Sequence, residues 1–157
     1  MVDLALPRQL HAIGQRAIGE ASARRAGSVE AEHLLLAILA DRSSRASIAL
    51  ARSGLDYGTF ERALDAERSR SLAAAGIAPP HPAQLSATPR TTGPAWGASI
   101  RDVLRGADKP AAKQSRPGAL ELELARSILA AKLGTVARAV ALAGSSRETL
   151  LDVLASG

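Results

Sequence analysis

The sequence predicts an all-α protein built from two tandem four-helix repeats packed as a pseudo-two-fold helical bundle, and three observations carry that prediction. Ala, Leu, Ile and Val supply nearly all of the 46% apolar share, against one Phe, one Tyr and one Trp. Strand-rich domains draw on β-branched and aromatic residues, whereas Ala and Leu favour helices. Apolar residues recur at spacings of three and four along much of the chain, which is the period of one helix face. The second half also falls on the first, without a gap, when shifted back by ninety positions.

The first helix is expected from about Pro7 to Arg25, with Leu6, Leu10, Ile13, Ala17 and Ala21 on one face and Gly27 as its stop. The stretch Ser28 to Ala40 carries its acids at the front, where a helix dipole favours them. Its apolar residues cover so much of the circumference that this helix must be largely buried. A short helix from Ser44 to Ser53 ends at Gly54, and Asp56 caps a fourth that presents Phe60, Ala63 and Leu64. From Gly76 to Pro94, five prolines and several Ser and Thr residues read as a linker. The helical pattern returns at Trp96, Ile100, Val103, Leu104 and Ala107. It is interrupted by a breaker stretch from Lys109 to Gly118, then resumes from Leu120 to Ala131, Thr135 to Ala143 and Ser146 to Leu154. Ser145 and Glu148 have capping-box spacing. The expected organisation is one domain over 1–157, with repeats at 5–75 and 95–157 joined by the linker at 76–94.

In the ninety-residue register, Ile128-Leu129-Ala130 falls on Ile38-Leu39-Ala40 and Gly144 on Gly54. Leu150 and Leu154 fall on Phe60 and Leu64, Leu124 on Leu34, and Trp96, Ile100, Val103 and Ala107 on Leu6, Leu10, Ile13 and Ala17. One helix could match another by chance in an Ala- and Leu-rich chain. Four helices and three connections in a single register favour duplication.

Composition excludes several functions. The chain has no cysteine, so disulfides, thiolate-bound zinc and thiol catalysis are out. The longest purely apolar run, Leu34 to Ala40, is far below a membrane span. The first residues, Met-Val-Asp-Leu-Ala-Leu-Pro-Arg, lack a basic region ahead of an apolar core, so a cytoplasmic location is expected. The net charge of +5 comes from scattered arginines interleaved with acids, without a concentrated basic patch. His33 is far in sequence from His11 and His81, and no acid–His–nucleophile set accompanies it. It reads as a core or helix-cap histidine. No cofactor, metal or catalytic residue is expected.

The run Glu32-His33-Leu34-Leu35-Leu36-Ala37-Ile38-Leu39, followed by Gly54-Leu55-Asp56, resembles the N-terminal repeat domain of Clp-type AAA+ unfoldases of the ClpA/ClpC kind. At the matching second-half position stand Leu122-Glu123, and Arg126 replaces the third leucine, so the second copy is degenerate. The unfoldases continue into ATPase modules, but this chain has no Gly-x-x-x-x-Gly-Lys-Ser/Thr loop to cradle a nucleotide phosphate. The resemblance therefore implies a non-enzymatic, stand-alone module that binds protein or peptide. Its implied partners are a Clp unfoldase, an adaptor, a degron or a cyclic peptide, or it sequesters such a ligand. Glu32 matches an acid that in some relatives pairs with the guanidinium of phosphorylated arginine. Ala31 stands where a phosphate-bonding Thr is common, so a structural role for Glu32 is preferred. The resemblance also implies apolar ligand contacts near the junction of the repeats, at Leu6, Leu10, Trp96 and Ile100. A helix-turn-helix DNA-binding unit over about 135–154, with Arg147 on the nucleic acid, is the alternative. The recurrence of its turn glycine at Gly54 makes duplication the simpler account.

Overall fold

The computed structural model describes residues 7–78, 93–112 and 118–157. Its elements run α1 (Pro7–Ala23), β1 (Ser28–Val29), α2 (Ala31–Ala40), α3 (Arg45–Arg52), α4 (Tyr57–Ala74), β2 (Ala95–Trp96), α5 (Ala98–Ala112), α6 (Ala119–Ala130), α7 (Thr135–Leu142) and α8 (Arg147–Ser156). The only sheet among the described residues is a parallel pair that sets Ser28 beside Ala95 and Val29 beside Trp96.

Local chemistry accounts for most boundaries. Ser44 caps α3 by accepting from the Ser47 N–H at 3.1 Å, and Asp56 caps α4 by accepting from the Thr59 N–H at 2.8 Å. The chain leaves α3 through Gly54 (φ 87°) and α7 through Gly144 (φ 76°). Both lie in the left-handed region that glycine enters without a Cβ penalty. The ninety-residue register is visible in the helix starts, Arg45 against Thr135 and Tyr57 against Arg147. It is visible again in paired core positions: Ile13 and Val103, Leu34 and Leu124, Ile38 and Ile128, Leu50 and Val140, Phe60 and Leu150 are all buried.

Four expectations need correction. Helix α1 stops at Ala23, and the left-handed turn residue is Arg25 (φ 55°), not Gly27. There the Ala26 N–H reaches the Ala21 carbonyl at 2.8 Å and the Arg25 N–H reaches Ser22 at 3.0 Å. This Schellman closure satisfies the last carbonyls two residues early. Ser28 and Val29 are strand rather than the front of α2, because they pair with a segment far along the chain. Helix α5 continues to Ala112, into the stretch read as a breaker. The cap of α8 is Ser146, which accepts from the Thr149 N–H at 3.4 Å, so the Ser145 box is displaced by one residue. After α4 the backbone turns at Gly76 (φ 72°), where the linker was expected to begin, and most of that linker lies outside the described residues.

Packing exchanges helices between the repeats. Helices α1 and α2 pack together, as do α5 and α6, and α2 lies against α6 at the centre. Helix α4 packs on α7 and α3 on α8, so the outer helices of each repeat rest on the other. Helix α2 is buried from Leu34 through Leu39, as its all-round apolar sequence requires.

Candidate recognition cleft at the repeat junction

Strand β1 and the first turn of α2 meet β2 and the first turn of α5, and this contact knits the repeats. The Glu30 carboxylate accepts from the Ser28 hydroxyl at 2.8 Å, from the Ser99 N–H at 3.2 Å and from the Ser99 hydroxyl. Ser99 in turn accepts from the Ala31 N–H at 2.9 Å, and the Gly97 N–H donates to the Val29 carbonyl at 2.9 Å. Burial pushes the Glu30 carboxyl up, but the bonds from Ser99 and Ser28 outweigh it and hold the group below the usual carboxylate range. A Cβ at Gly97 would fall 1.8 Å from Glu30 Oε1, so only glycine leaves room for this carboxylate in its present place.

His33 lies one turn further on, buried, with Nδ1 accepting from the Glu30 N–H at 3.0 Å. It is the backbone-bonded helix-cap histidine expected from the sequence. Burial and the nearby Arg24 depress it to about 4, against the pull of Glu30, so the imidazole is neutral at pH 7.

Beside this contact opens a cleft of ≈ 770 Å³. Val103, Ile128, Leu133 and Val136 form apolar parts of its wall, while Glu30, Glu32 and Asp102 bring carboxylates to it. Leu133 is 88% exposed, in the turn between α6 and α7. Burial raises the Glu32 carboxyl above its usual range, its own backbone N–H opposes this, and the carboxylates of Glu30 and Glu67 add to the rise against Arg24.

The residues singled out from sequence are thus dispersed. Glu32 is on the cleft. Leu10 is partly buried against the core, and Ile100 is wholly enclosed, so its surface goes to packing and not to a ligand. Trp96 sits on β2 rather than on a helix face, 41% exposed, with its indole over Gly14 of α1. Leu6 lies outside the described residues. Arg147, which the DNA-binding alternative needs, turns inward and donates to the carbonyls of Leu129 at 3.4 Å and Ala130 at 3.3 Å. Sequence reasoning missed Ser99, Asp102 and Leu133. They lie roughly seventy or more residues from Glu30, and no local spacing marks them.

The ninety-residue counterpart of the cleft is different. Leu120 and Leu122 stand in place of Glu30 and Glu32, both buried, and the Arg45 side chain lies over Gly118. At these paired positions, the first-repeat residues Glu30 and Glu32 border the open cleft.

The described residues form a duplicated helical unit with a groove at its seam. Residues 8–117 match the Clp repeat (R) N-terminal domain. The chain belongs to that family, whose domain is non-catalytic and engages Clp-related protein machinery. The match stops just before α6, where the second copy departs from the first-repeat pattern. No curated protein matches the chain. Among the described residues, no helix is long and apolar enough to cross a membrane.

Proposed function

We propose that this protein captures polypeptide segments, from substrates or adaptors of a Clp protease, in the cleft where α2, α5, α6 and α7 converge. The observation that carries this reading is the open, apolar-walled volume of ≈ 770 Å³ at the repeat junction, with Leu133 standing 88% exposed on its border. A concave, mostly apolar wall with a few polar groups on it is the usual form of a ligand cleft. Glu32 supplies charge on the same surface. Trp96 offers a further aromatic contact, outside the cleft lining.

The test is titration of an unfolded, carboxymethylated polypeptide by calorimetry, with the intact protein and with Leu133→Asp. Because Leu133 contributes almost nothing to the core, the variant keeps its helical circular dichroism. The expected outcome is saturable binding that weakens about tenfold or more in the variant. Equal binding by both proteins removes the cleft as the site.

A further inference from the structure

We infer that the groove between α4 and α7 is a second docking surface, which takes an acidic side chain flanked by small aliphatic ones on a partner polypeptide. It shares no lining residue with the junction cleft, so it stands or falls independently of that site. Helix α7 serves both. Thr135 and Val136, at its start, line the cleft, while Arg138, Ala141 and Leu142 line the groove.

The groove has a volume of ≈ 470 Å³, within the roughly 300–1,000 Å³ of ligand sites. Small side chains leave it open: Ser71 and Ala74 from the end of α4 line it together with Ala141 from the end of α7. Leu142 adds to the apolar part of the wall and is itself packed against the core. Methyl-sized and branched aliphatic side chains of a guest therefore have surface to cover on either side of the charged residues.

The charged residues on the wall are Glu67, Arg70 and Arg138, and the acid is already engaged. Glu67 is buried, and one of its oxygens accepts from the Ser71 hydroxyl at 2.6 Å and from Arg138 Nε at 2.7 Å. Arg138 gives Glu67 that inner nitrogen alone. Its side chain is 57% exposed, and its Nη1 and Nη2 make no hydrogen bond among the described residues. Arg70 is exposed and forms no salt bridge among the described residues. Helix α7 contains no acid, and α4 has none after Glu67. Two guanidiniums thus border apolar surface with donors to spare, the setting that a planar carboxylate fits. Helix C-termini disfavour anions. Here, however, the carbonyls of Ser71, Leu72 and Ala73 accept from the N–H groups of Ala75, Ile77 and Gly76. Those of Ala139, Val140 and Ala141 likewise accept from Ala143, Ser145 and Gly144, so the opposing carbonyl charge is largely taken up.

The experiment titrates the intact, isotope-labelled protein with peptides that carry an Ala-Xaa-Leu core in a Gly/Ser context, Xaa being glutamate or glutamine, and follows the amide chemical shifts. The glutamate peptide is expected to shift the Ala74, Ala141 and Leu142 amides and to bind roughly fivefold or more tighter than the glutamine one. Arg70→Ala, at an exposed position that leaves the helical circular dichroism unchanged, should remove most of that margin. Arg70→Lys should keep part of it, and salt should narrow it. Equal binding of the two peptides, a margin that survives Arg70→Ala, or unmoved Ala74 and Ala141 amides would each overturn the inference. Inorganic phosphate that moves the same amides as far as the glutamate peptide makes the groove a simple anion site and overturns it too. So does a shift with protein concentration alone, which gives the face to a second copy of the chain. Shifts confined to Leu133 and Gly134 end this inference and leave the junction cleft standing.

Discussion

A single carboxylate, Glu30, joins the two repeats at one point, and its neighbours are chosen around it. The Gly97 position matters because a Cβ there would coincide with the Glu30 carboxyl. Side-chain ends can move, so the cost of Gly97→Ala is the loss of the Ser28 and Ser99 bonds, about 1–2 kcal/mol, not an insoluble clash. Chemical denaturation should show that loss in the single variant and little further loss when Gly97→Ala is added to Glu30→Ala. Additive penalties in the double variant would mean the two residues act separately. His33 gives a pH signature with a definite sign. Its folded pKa of about 4 lies below the ordinary value near 6.5. The unfolded chain therefore binds the extra proton first, and stability is fully present above about 6.5 and falls as pH drops toward 4, by a few kcal/mol at most. Glu30, held below its ordinary range, adds to the acid loss at lower pH, while Glu32, held above it, opposes. Thermal melts from pH 7 to 4 should show a slope that largely disappears in His33→Gln. A slope unchanged in that variant would move its origin to the carboxylates.

The helices owe their ends to caps of unequal quality. Asp56 accepts from the Thr59 N–H at 2.8 Å, whereas Ser146 at the matching start of α8 accepts at 3.4 Å. Asp56→Ala should cost about 1 kcal/mol and Ser146→Ala less than half of that. Equal costs in urea titrations would show that the two caps do not differ as their geometry implies. These ends were largely legible beforehand, because a cap and its helix are neighbours in sequence. The Asp56 cap and the Gly54 and Gly144 turns were read from local residue types alone. The end of α1 was misplaced because Arg25, a residue with no turn preference of its own, takes the left-handed conformation that Gly27 was expected to supply.

At the scale of the whole molecule, the exchange of outer helices makes each repeat depend on the other. Helix α4 rests on α7, held partly by Glu67, which is buried and pairs with Arg138 at 2.7 Å. Arg138→Ala leaves that carboxylate with Ser71 as its remaining side-chain donor among the described residues, and should cost about 1–3 kcal/mol. A fragment of residues 7–78 would expose the apolar faces of α2 and α4 that α6 and α7 now cover. It is expected to lack cooperative unfolding and to aggregate, while the full chain melts in one transition. A fragment with a sharp melt of its own would show that the repeats are independent units.

Residue order alone determined the helical class, the repeat register, the core positions and the family. Each of these depends on periodicity or on short motifs that neighbouring residues carry. The tertiary structure alone decided where ligand surface lies: it enclosed Ile100, set Trp96 on a strand over Gly14, turned Arg147 onto α6, and drew Ser99, Asp102 and Leu133 to Glu32. The reason is physical. A groove is made by residues from helices distant in the chain, and which side of a helix is left uncovered depends on the crossing of its partners, not on its own pattern.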